Sequence, residues 1–495
     1  ATEKWSTPWP GSRSSLISKH RNSLPVQRRR PPVLRHPPES DPIRFHLSEL
    51  LRRCAILGPA QGHRMPPLRL RIHILLTPLL RLPALALGLL LSVSPVRAVD
   101  FNVTDFGARG DGKTLNTQAI QAAIDATAEA GGGRLVVPAG KFLSGSLFLR
   151  QGVEFHLAAD AVLLGSDNLA DYPKRRTRIE GHFPKWRVAL LNASHIDGLR
   201  ITGPGRLDGN GLTFWTAFWD RRKLNPHCTN LEVERPRLVF IDRCTNVTVS
   251  GVQFKDSGFW NLHLYRCREV LIENLHLSAP GSEAPVKAPS SDGIDIDSCQ
   301  NVTIRGCTFA VNDDCIALKG TKGPLADRDE SSPPVENILV ENCTFLAGHG
   351  VLTCGSEATV VRNVVVRNCV VRGDINLVRL KLRPDTTQHY SNILYENITL
   401  DGHGRLFDIN PWRQFFDLQG HPAPSRQVDG ITLRNVSGHY GRPGRIVGNA
   451  GDDLAPFVLE NVHLTFDQPD FERGDNVRIH ATDVTFDHAP LGLEP

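Results

Sequence analysis

The stretch 299–309, CQNVTIRGCTF, alternates apolar and polar side chains around Val302 and Ile304. Closely similar phrases occupy 244–254 (CTNVTVSGVQF), 267–277 (CREVLIENLHL), 335–345 (VENILVENCTF), 361–371 (VRNVVVRNCVV) and 390–400 (YSNILYENITL). Alternation rich in Val, Ile and Thr predicts β-strands, and self-similarity at intervals of roughly 20–30 residues predicts a solenoid. The repeat therefore predicts an all-β fold, a parallel β-helix whose equivalent residues stack about 4.8 Å apart on successive coils.

Asparagine and cysteine recur at fixed positions of this phrase. The asparagines are expected to form turns between strands; they are Asn246, Asn301, Asn337, Asn363 and Asn392. The cysteines are expected to stack as buried thiols, with a disulfide involving Cys228 or Cys354 as the alternative. They fall at one position as Cys244, Cys267 and Cys299, and at another as Cys307, Cys343 and Cys369.

Residues 101–149 are suited to covering the open end of the solenoid, where strand edges would otherwise lie exposed. Asn116 or Thr117 can begin a helix, and Gly131–Gly133 can end it. We therefore predict an N-terminal capping helix in front of the first coils. Its expected buried face consists of Ile120, Ala123, Ile124 and Ala128.

The segment before the repeats has the composition of a targeting sequence. Met65 is the single methionine, basic residues follow it, and an apolar run at 82–93 ends shortly before Val96-Arg97-Ala98. This pattern predicts a secretory signal peptide at 65–98, with a secreted or periplasmic protein as the result. An N-terminal membrane anchor is the alternative, although Arg81 interrupts the apolar stretch.

Leaving out residues 1–98 reverses the sign of the net charge of the chain. Residues 1–98 hold 16 of the 57 Lys and Arg but only 4 of the 52 Asp and Glu. We expect 1–64 to be upstream sequence or a disordered extension, and 99–495 to form one β-helix domain. That domain carries 41 basic against 48 acidic side chains. No nucleic-acid partner is expected, because such partners need clustered basic surfaces.

Ionisable side chains cluster in four consecutive repeats. Because equivalent positions on neighbouring coils of a solenoid lie roughly 5–10 Å apart, these side chains are expected to form one site. Adjacent carboxyl groups raise one another's pKa, so one of them can stay protonated. The cluster consists of Asp292 in SSDGIDIDSC, Asp313 and Asp314 in NDDCIALKG, His349 in AGHGVLTCGSE, and Arg379 and Lys381 in INLVRLKL.

Three carboxyl groups beside a histidine fit hydrolysis of a glycosidic bond. One protonated carboxyl serves the leaving oxygen, and another activates water. Arg379 and Lys381 alternate along a strand, so they would project to one side and could hold a carboxylate of the substrate. The pattern therefore indicates a polymer of uronic acids as substrate.

In these motifs the chain resembles glycoside hydrolase family 28, the polygalacturonases and related pectin hydrolases. The resemblance covers essentially all of 99–495 and implies a right-handed β-helix that cleaves α-1,4-galacturonosyl linkages of pectin with inversion, without metal or cofactor. We expect a monomer without a membrane anchor. The family's N-T-D, D-D, G-H-G and R-I/L-K motifs stand here as Ser290-Ser291-Asp292, Asp313-Asp314, Gly348-His349-Gly350 and Arg379-Leu380-Lys381.

The resemblance also implies roles for individual positions. Ser290-Ser291 stands where the family usually has Asn-Thr, a difference that is expected to alter one sugar contact near Asp292. By motif, Asp313 corresponds to the general acid, Asp292 and Asp314 to the carboxylates that activate water, His349 to the group that tunes the acid, and Arg379 and Lys381 to the contacts with the galacturonate carboxylate.

Two apparent loops, 279–289 and 319–334, flank the acidic motifs. Loops at a cleft edge can close one end, which favours exo over endo action. The alternatives are a rhamnogalacturonan hydrolase, a calcium-dependent pectate lyase and a noncatalytic carbohydrate-binding solenoid. Four tryptophans are candidates for stacking on sugars or for packing: Trp215, Trp219, Trp260 and Trp412.

Overall fold

Each repeat of the sequence forms one coil of a right-handed parallel β-helix. The structure, a computed structural model, describes residues 100–487 and the backbone of 489–490. The predicted signal peptide at 65–98 and the segment 1–64 lie outside the described residues. Successive coils pair their strands in parallel, and apolar side chains fill the interior of the stack. The predicted fold class is confirmed.

The strands of the described residues form two long, mainly parallel sheets and one short hairpin. The hairpin pairs Lys174–Arg176 with Lys185–Arg187. The larger sheet consists of Asp100–Asn102, Asp111–Leu115, Gly133–Val137, Gly140–Ser144, Val153–Leu157, Ala161–Gly165, Arg200–Thr202, Arg206–Asp208, Thr245–Ser250, Gln253–Lys255, Arg268–Glu273, His276–Ser278, Gln300–Arg305, Thr308–Ala310, Val335–Glu341, Thr344–Ala347, Val360–Arg372, Gln388–Asp401, Arg426–Tyr440, Asp453–Phe466, Val477–Phe486 and Ala489–Pro490. The smaller sheet consists of Leu147–Phe148, Leu191–Ser194, Val239–Asp242, Leu262–Tyr265, Ile294–Asp297, Ile316–Lys319, Gly350–Cys354, Asn376–Leu382, Arg405–Pro411, Arg442–Ile446 and Phe471–Arg473.

The stretch 299–309 shows how the repeat builds a coil. It forms two strands of the larger sheet that meet at Gly306, whose φ of +63° favours glycine. Val302 is buried and pairs in register with Val270 of the preceding coil and Ile338 of the following one. The alternation in the sequence therefore sends one set of side chains into the core, as predicted.

The recurrent asparagines form a ladder across neighbouring strands of the larger sheet. Nδ2 of Asn337 donates to Oδ1 of Asn301 at 2.8 Å, and Asn363 and Asn392 extend the ladder at 3.3 and 2.8 Å. All four have φ between 52° and 59°, the left-handed region that asparagine adopts more readily than most residues. The prediction of turns between strands is wrong in one respect, because all four asparagines lie inside strands of the larger sheet, where their left-handed backbone bends the strand.

All nine cysteines of the described residues are buried and free of disulfides. The backbone N–H of Cys267 donates to Sγ of Cys299 at 3.2 Å across neighbouring coils. The stacked-thiol prediction is confirmed, and the alternative of a disulfide at Cys228 or Cys354 is not found.

The predicted capping helix spans Thr117–Glu129 and packs against the first coils. Asn116 is its N-cap residue, but the Asn116 side chain bonds to the backbone of Arg109 instead of capping the helix. Of the predicted face, Ile120, Ala123 and Ile124 are buried and Ala128 is partly buried. A second helix, Leu212–Leu224, and four short 3-10 helices, Val103–Phe106, Leu169–Asp171, Asn230–Glu232 and Ala326–Arg328, lie in the connections. Within residues 100–487, no helix has both the length and the apolar character needed to cross a membrane.

Candidate active site

The smaller sheet brings the predicted site residues together. The four strands concerned are consecutive neighbours in that sheet. Each motif lies at the start of its strand, except for the last, which lies within it. Asp292 precedes Ile294–Asp297, Asp313 and Asp314 precede Ile316–Lys319, His349 precedes Gly350–Cys354, and Arg379 and Lys381 lie within Asn376–Leu382.

Asp313 and His349 form an ion pair that is open to solvent. Nδ1 of His349 lies 3.1 Å from Oδ1 of Asp313, and the side chains are 51% and 25% exposed, respectively. The Asp313 carboxylate raises the pKa of His349, against the opposing effect of burial. Burial by itself would raise the pKa of Asp313, but the neighbouring histidine outweighs it and holds that pKa below its usual value. In the free protein this pair therefore carries its proton on the histidine.

Asp314 is fully buried and serves as the partner of both motif cations. Nη1 of Arg379 donates to Oδ1 at 2.6 Å, and Nζ of Lys381 donates to Oδ2 at 2.7 Å. Burial would raise the pKa of Asp314, but the two cations hold it far below its usual range. Asp314 is therefore a permanent carboxylate near neutral pH, and it orients the two side chains predicted to bind the substrate.

Asp292 shares one cation with a carboxyl group that sequence reasoning missed. Nζ of Lys319 lies 3.2 Å from Oδ2 of Asp292 and 3.5 Å from Oδ1 of Asp295. Asp295 is completely buried, and neither of its carboxyl oxygens has a hydrogen-bond partner. Burial raises the pKa of Asp292 to about 7, although Lys319 opposes the shift, and the pKa of Asp295 rises well above its usual value. Burial therefore favours the protonated form of both Asp292 and Asp295.

A cavity of about 270 Å³ lies over these groups, and Asp292, Asp313 and His349 line it. Three of the four candidate tryptophans also line it, whereas Trp215 is buried and donates from Nε1 to the backbone oxygen of Ser257, a packing role. The three are Trp219, Trp260 and Trp412. Nζ of Lys319 lies 4.6 Å from the centre of the Trp260 ring, and Nζ of Lys381 lies 4.9 Å from that of Trp412.

Buried arginines hold the walls of this cavity. Arg178 donates from Nε to Asp297, in the smaller sheet, at 2.8 Å and from Nη1 to the backbone oxygen of Gly181. These two bonds hold the segment 178–181 beside the smaller sheet. Arg235 donates to the backbone oxygen of Pro289 at 2.7 Å and contacts Ser290 Oγ at 3.3 Å. The two arginines thus fix the segments around Gly181 and Pro289, which border the cavity.

The loops predicted at the cleft edge do reach the cavity. Lys287 of 279–289 and Lys322 of 319–334 both line it. Lys322 pairs with Glu357 at 3.3 Å and with Glu180 at 3.6 Å, so charged side chains from three segments form one wall. Sequence reasoning missed this wall because its members do not belong to one repeat.

The arrangement is poorly suited to a divalent cation at the acidic motifs. Asp313, Asp314 and His349 offer ligand atoms within 4.8 Å of one another. However, both oxygens of Asp314 already accept hydrogen bonds from Arg379 and Lys381, and a cation would have to displace them. The absence of a metal from the chemistry stays a prediction.

The sequence profile described as "Glycosyl hydrolases family 28" matches residues 133–482, most of the chain. The protein belongs to this family. It is therefore a glycosidase, as its motifs predicted. A second profile, "Rhamnogalacturonase A/epimerase, pectate lyase-like", matches 101–158, around the capping helix.

Two similar proteins are exo-acting enzymes by name. The chain is 28% identical to an exopolygalacturonase of Zea mays over 69% of its own length and 77% of that protein's. It is 30% identical to an exo-poly-alpha-D-galacturonosidase of Dickeya chrysanthemi, over 74% and 67% of the two lengths.

Among solved structures, the exopolygalacturonase of Thermotoga maritima aligns with a TM-score of 0.66 and 26% identity, covering 79% of this chain and 92% of that one. The family 28 exopolygalacturonase of Yersinia enterocolitica aligns with a TM-score of 0.60 and 22% identity, over 78% of each chain. The second likeness supports the β-helix fold alone.

Proposed function

We propose that this glycosidase acts on polygalacturonate and releases galacturonate from a chain end with inversion at the anomeric carbon. The observation that carries the proposal is a cavity of about 270 Å³ that combines two carboxyl groups, Asp292 and Asp313, with the paired cations Arg379 and Lys381. Lys287 and Lys322 of the two edge loops also line the cavity, and loops that close one end of a cleft suit a chain end better than a polymer segment. The exopolygalacturonase relatives support the same direction.

The two cations of the cavity indicate a substrate made of uronic acids. Arg379 and Lys381 line the cavity while their charges are held by the buried Asp314. A uronate carboxylate in the cavity would meet two oriented donors, and Trp412 beside them would cover an apolar face of the sugar ring. Asp314 then acts as a positioning residue. A role in activating water requires its buried oxygens to become accessible.

The directions of the pKa shifts at Asp313 and Asp292 favour a second assignment of the acid and the base. The motif resemblance makes Asp313 the acid, yet the pKa of Asp313 is lowered by His349, whereas the pKa of Asp292 is raised to about 7 by burial. If these states persist in the complex, Asp292 donates the proton and Asp313 activates water. If the substrate carboxylate raises the pKa of Asp313 by like-charge repulsion, the motif assignment holds.

An aryl galacturonide with a good leaving group separates the two assignments. Such a substrate needs little protonation of its leaving oxygen, so the variant that lacks the acid keeps much of its turnover, whereas the variant that lacks the base loses it. Asp313→Asn and Asp292→Asn are compared on this substrate and on polygalacturonate. Selective retention by Asp313→Asn supports the motif assignment, and selective retention by Asp292→Asn supports the second one.

Product analysis tests the proposed function itself. Polygalacturonate is incubated with the full chain in excess chelator, and reducing ends, product length and ultraviolet absorbance are followed together. Early release of galacturonate monomer without new absorbance is expected. A ladder of oligomers would make the enzyme endo-acting, and unsaturated products would indicate a lyase. No products from polygalacturonate but products from rhamnogalacturonan in a parallel assay would support a rhamnogalacturonan hydrolase.

A further inference from the structure

A second groove adjoins the cavity and continues it across the following coils. It has a volume of about 470 Å³ and shares His349, Arg379 and Trp412 with the cavity. Its far wall is built on the next two strands of the smaller sheet, Arg405–Pro411 and Arg442–Ile446. A polymer whose terminal unit lies in the cavity can therefore extend into this groove.

The groove carries more positive than negative charge. Four arginines but only two aspartates contribute to its lining. One of these aspartates, the buried Asp408, is shared by three guanidinium groups: Arg445 at 3.0 Å, Arg379 at 3.4 Å and Arg405 at 4.0 Å. Arg379 is also bound to Asp314 at 2.6 Å, which leaves Asp408 to offset Arg405 and Arg445. One carboxylate cannot neutralise both guanidinium groups, so net positive charge remains at the groove surface.

Two of the arginines face each other on neighbouring strands. Arg405 and Arg442 are register partners in a parallel pair, an arrangement of like charges that destabilises a sheet when nothing offsets it. Arg442 also contacts Asp470 at 3.3 Å, but that carboxylate is largely exposed to solvent, which weakens the pair. An anion bound between Arg405 and Arg442 would relieve their repulsion.

We propose that Arg405, Arg442 and Arg445 form a binding site for the carboxylates of the sugar units beyond the one held in the cavity. This inference rests on the proposed function and adds a determinant of chain-length preference to it. A polyuronate repeats a carboxylate on every sugar unit, and arginines on coils about 4.8 Å apart repeat in the same way. Each guanidinium offers several donors in a planar fork that matches a carboxylate.

Binding to an inactive protein tests this site separately from turnover. In the Asp313→Asn background, the double variant Arg405→Gln/Arg442→Gln is compared with Arg362→Gln, which removes an arginine paired with Glu336 on the larger sheet. Calorimetry with trigalacturonate and with galacturonate monomer supplies the affinities. The double variant is expected to bind the trimer at least tenfold more weakly and the monomer within twofold of the parent. Arg362→Gln is expected to match the parent for both ligands.

Unchanged trimer affinity in the double variant would overturn the proposal, as would an equal loss for the monomer, since that loss would place the effect in the cavity. Thermal unfolding of each variant checks that it folds, and the single variant Arg442→Gln replaces the double one if the double one does not. If the unmutated enzyme releases no galacturonate although the selective loss of trimer binding is observed, the proposed function fails and the groove assignment stands.

Discussion

Replacing Lys319 with methionine tests how the active site holds its proton. Lys319 is the cation that Asp292 and Asp295 share, at 3.2 and 3.5 Å. Burial raises the pKa of Asp292 to about 7 even in the presence of this cation. Under either assignment the active enzyme has one of the two carboxyl groups, Asp292 and Asp313, protonated and the other ionised. Activity is therefore expected to fall as the pH rises through about 7, where the last proton of the pair is lost.

The distance sets the size of the effect. At 3.2 Å and an effective dielectric of about 20, the Coulomb attraction is about 5 kcal/mol, an upper limit of roughly 4 pKa units. Lys319 also lies 3.8 Å from Glu357, so its charge is divided among three carboxyl groups, and we expect a shift of about 1–2 units. Loss of the cation disfavours the ionised form, which raises the pKa of Asp292 and moves the alkaline limb of the profile to higher pH.

The assay is kcat/KM on polygalacturonate from about pH 4 to pH 9 for the unmutated enzyme, Lys319→Met and Lys319→Arg. The arginine variant keeps the charge and is expected to keep the alkaline limb close to its original position. Thermal unfolding confirms that each variant is folded. An alkaline limb in Lys319→Met that stays in place or moves to lower pH would refute the reasoning.

Two further predictions concern stability. Arg379→Ala leaves the buried Asp314 with one cation instead of two, so we expect a loss of about 3–5 kcal/mol in the free energy of urea unfolding; the exposed pair removed by Arg362→Gln is the control and should cost less than about 1 kcal/mol. A similar loss in both variants would contradict the special role of the buried pair. Phe345→Ala removes a ring that stacks on Phe309 at 5.0 Å and 8° inside the coils, and it should cost about 3–5 kcal/mol in the same assay. A loss below about 1 kcal/mol would show that this stack is not tightly packed.

Features that depend on short-range alternation were predictable. Val302 and Ile304 point inward because neighbouring residues of a strand face opposite sides, a property written in the local sequence. The asparagine ladder follows from the same repeat, since the left-handed backbone recurs at one position of each coil. The convergence of Asp292, Asp313 and His349 followed from the repeat as well, because coils stack at a fixed distance.

Contacts between distant segments were not predictable in this way. The repeat placed Asp314 and Arg379 in one site but did not indicate that they pair with each other. It gave no sign of the ion pair between Arg178 and Asp297, which are 119 positions apart. Arg178 lies in a connection outside the repeated phrase, where no periodicity indicates its direction. Asp295 was also missed, because an alternating strand leaves open whether its outer face meets solvent or a covering loop.

The sequence by itself determined the β-helix, its capping helix and the identity of the acidic motifs, because each of these depends on residues close together in the chain or on a regular repeat. Only the tertiary structure decided in which direction the pKa of each carboxyl group departs from its ordinary value. Asp292, Asp313 and Asp314 are chemically identical side chains, and their pKa values diverge because burial, His349 and the pair Arg379 and Lys381 act on them differently. The electrostatic environment of a carboxyl group depends on the folded position of its neighbours, which no local pattern specifies.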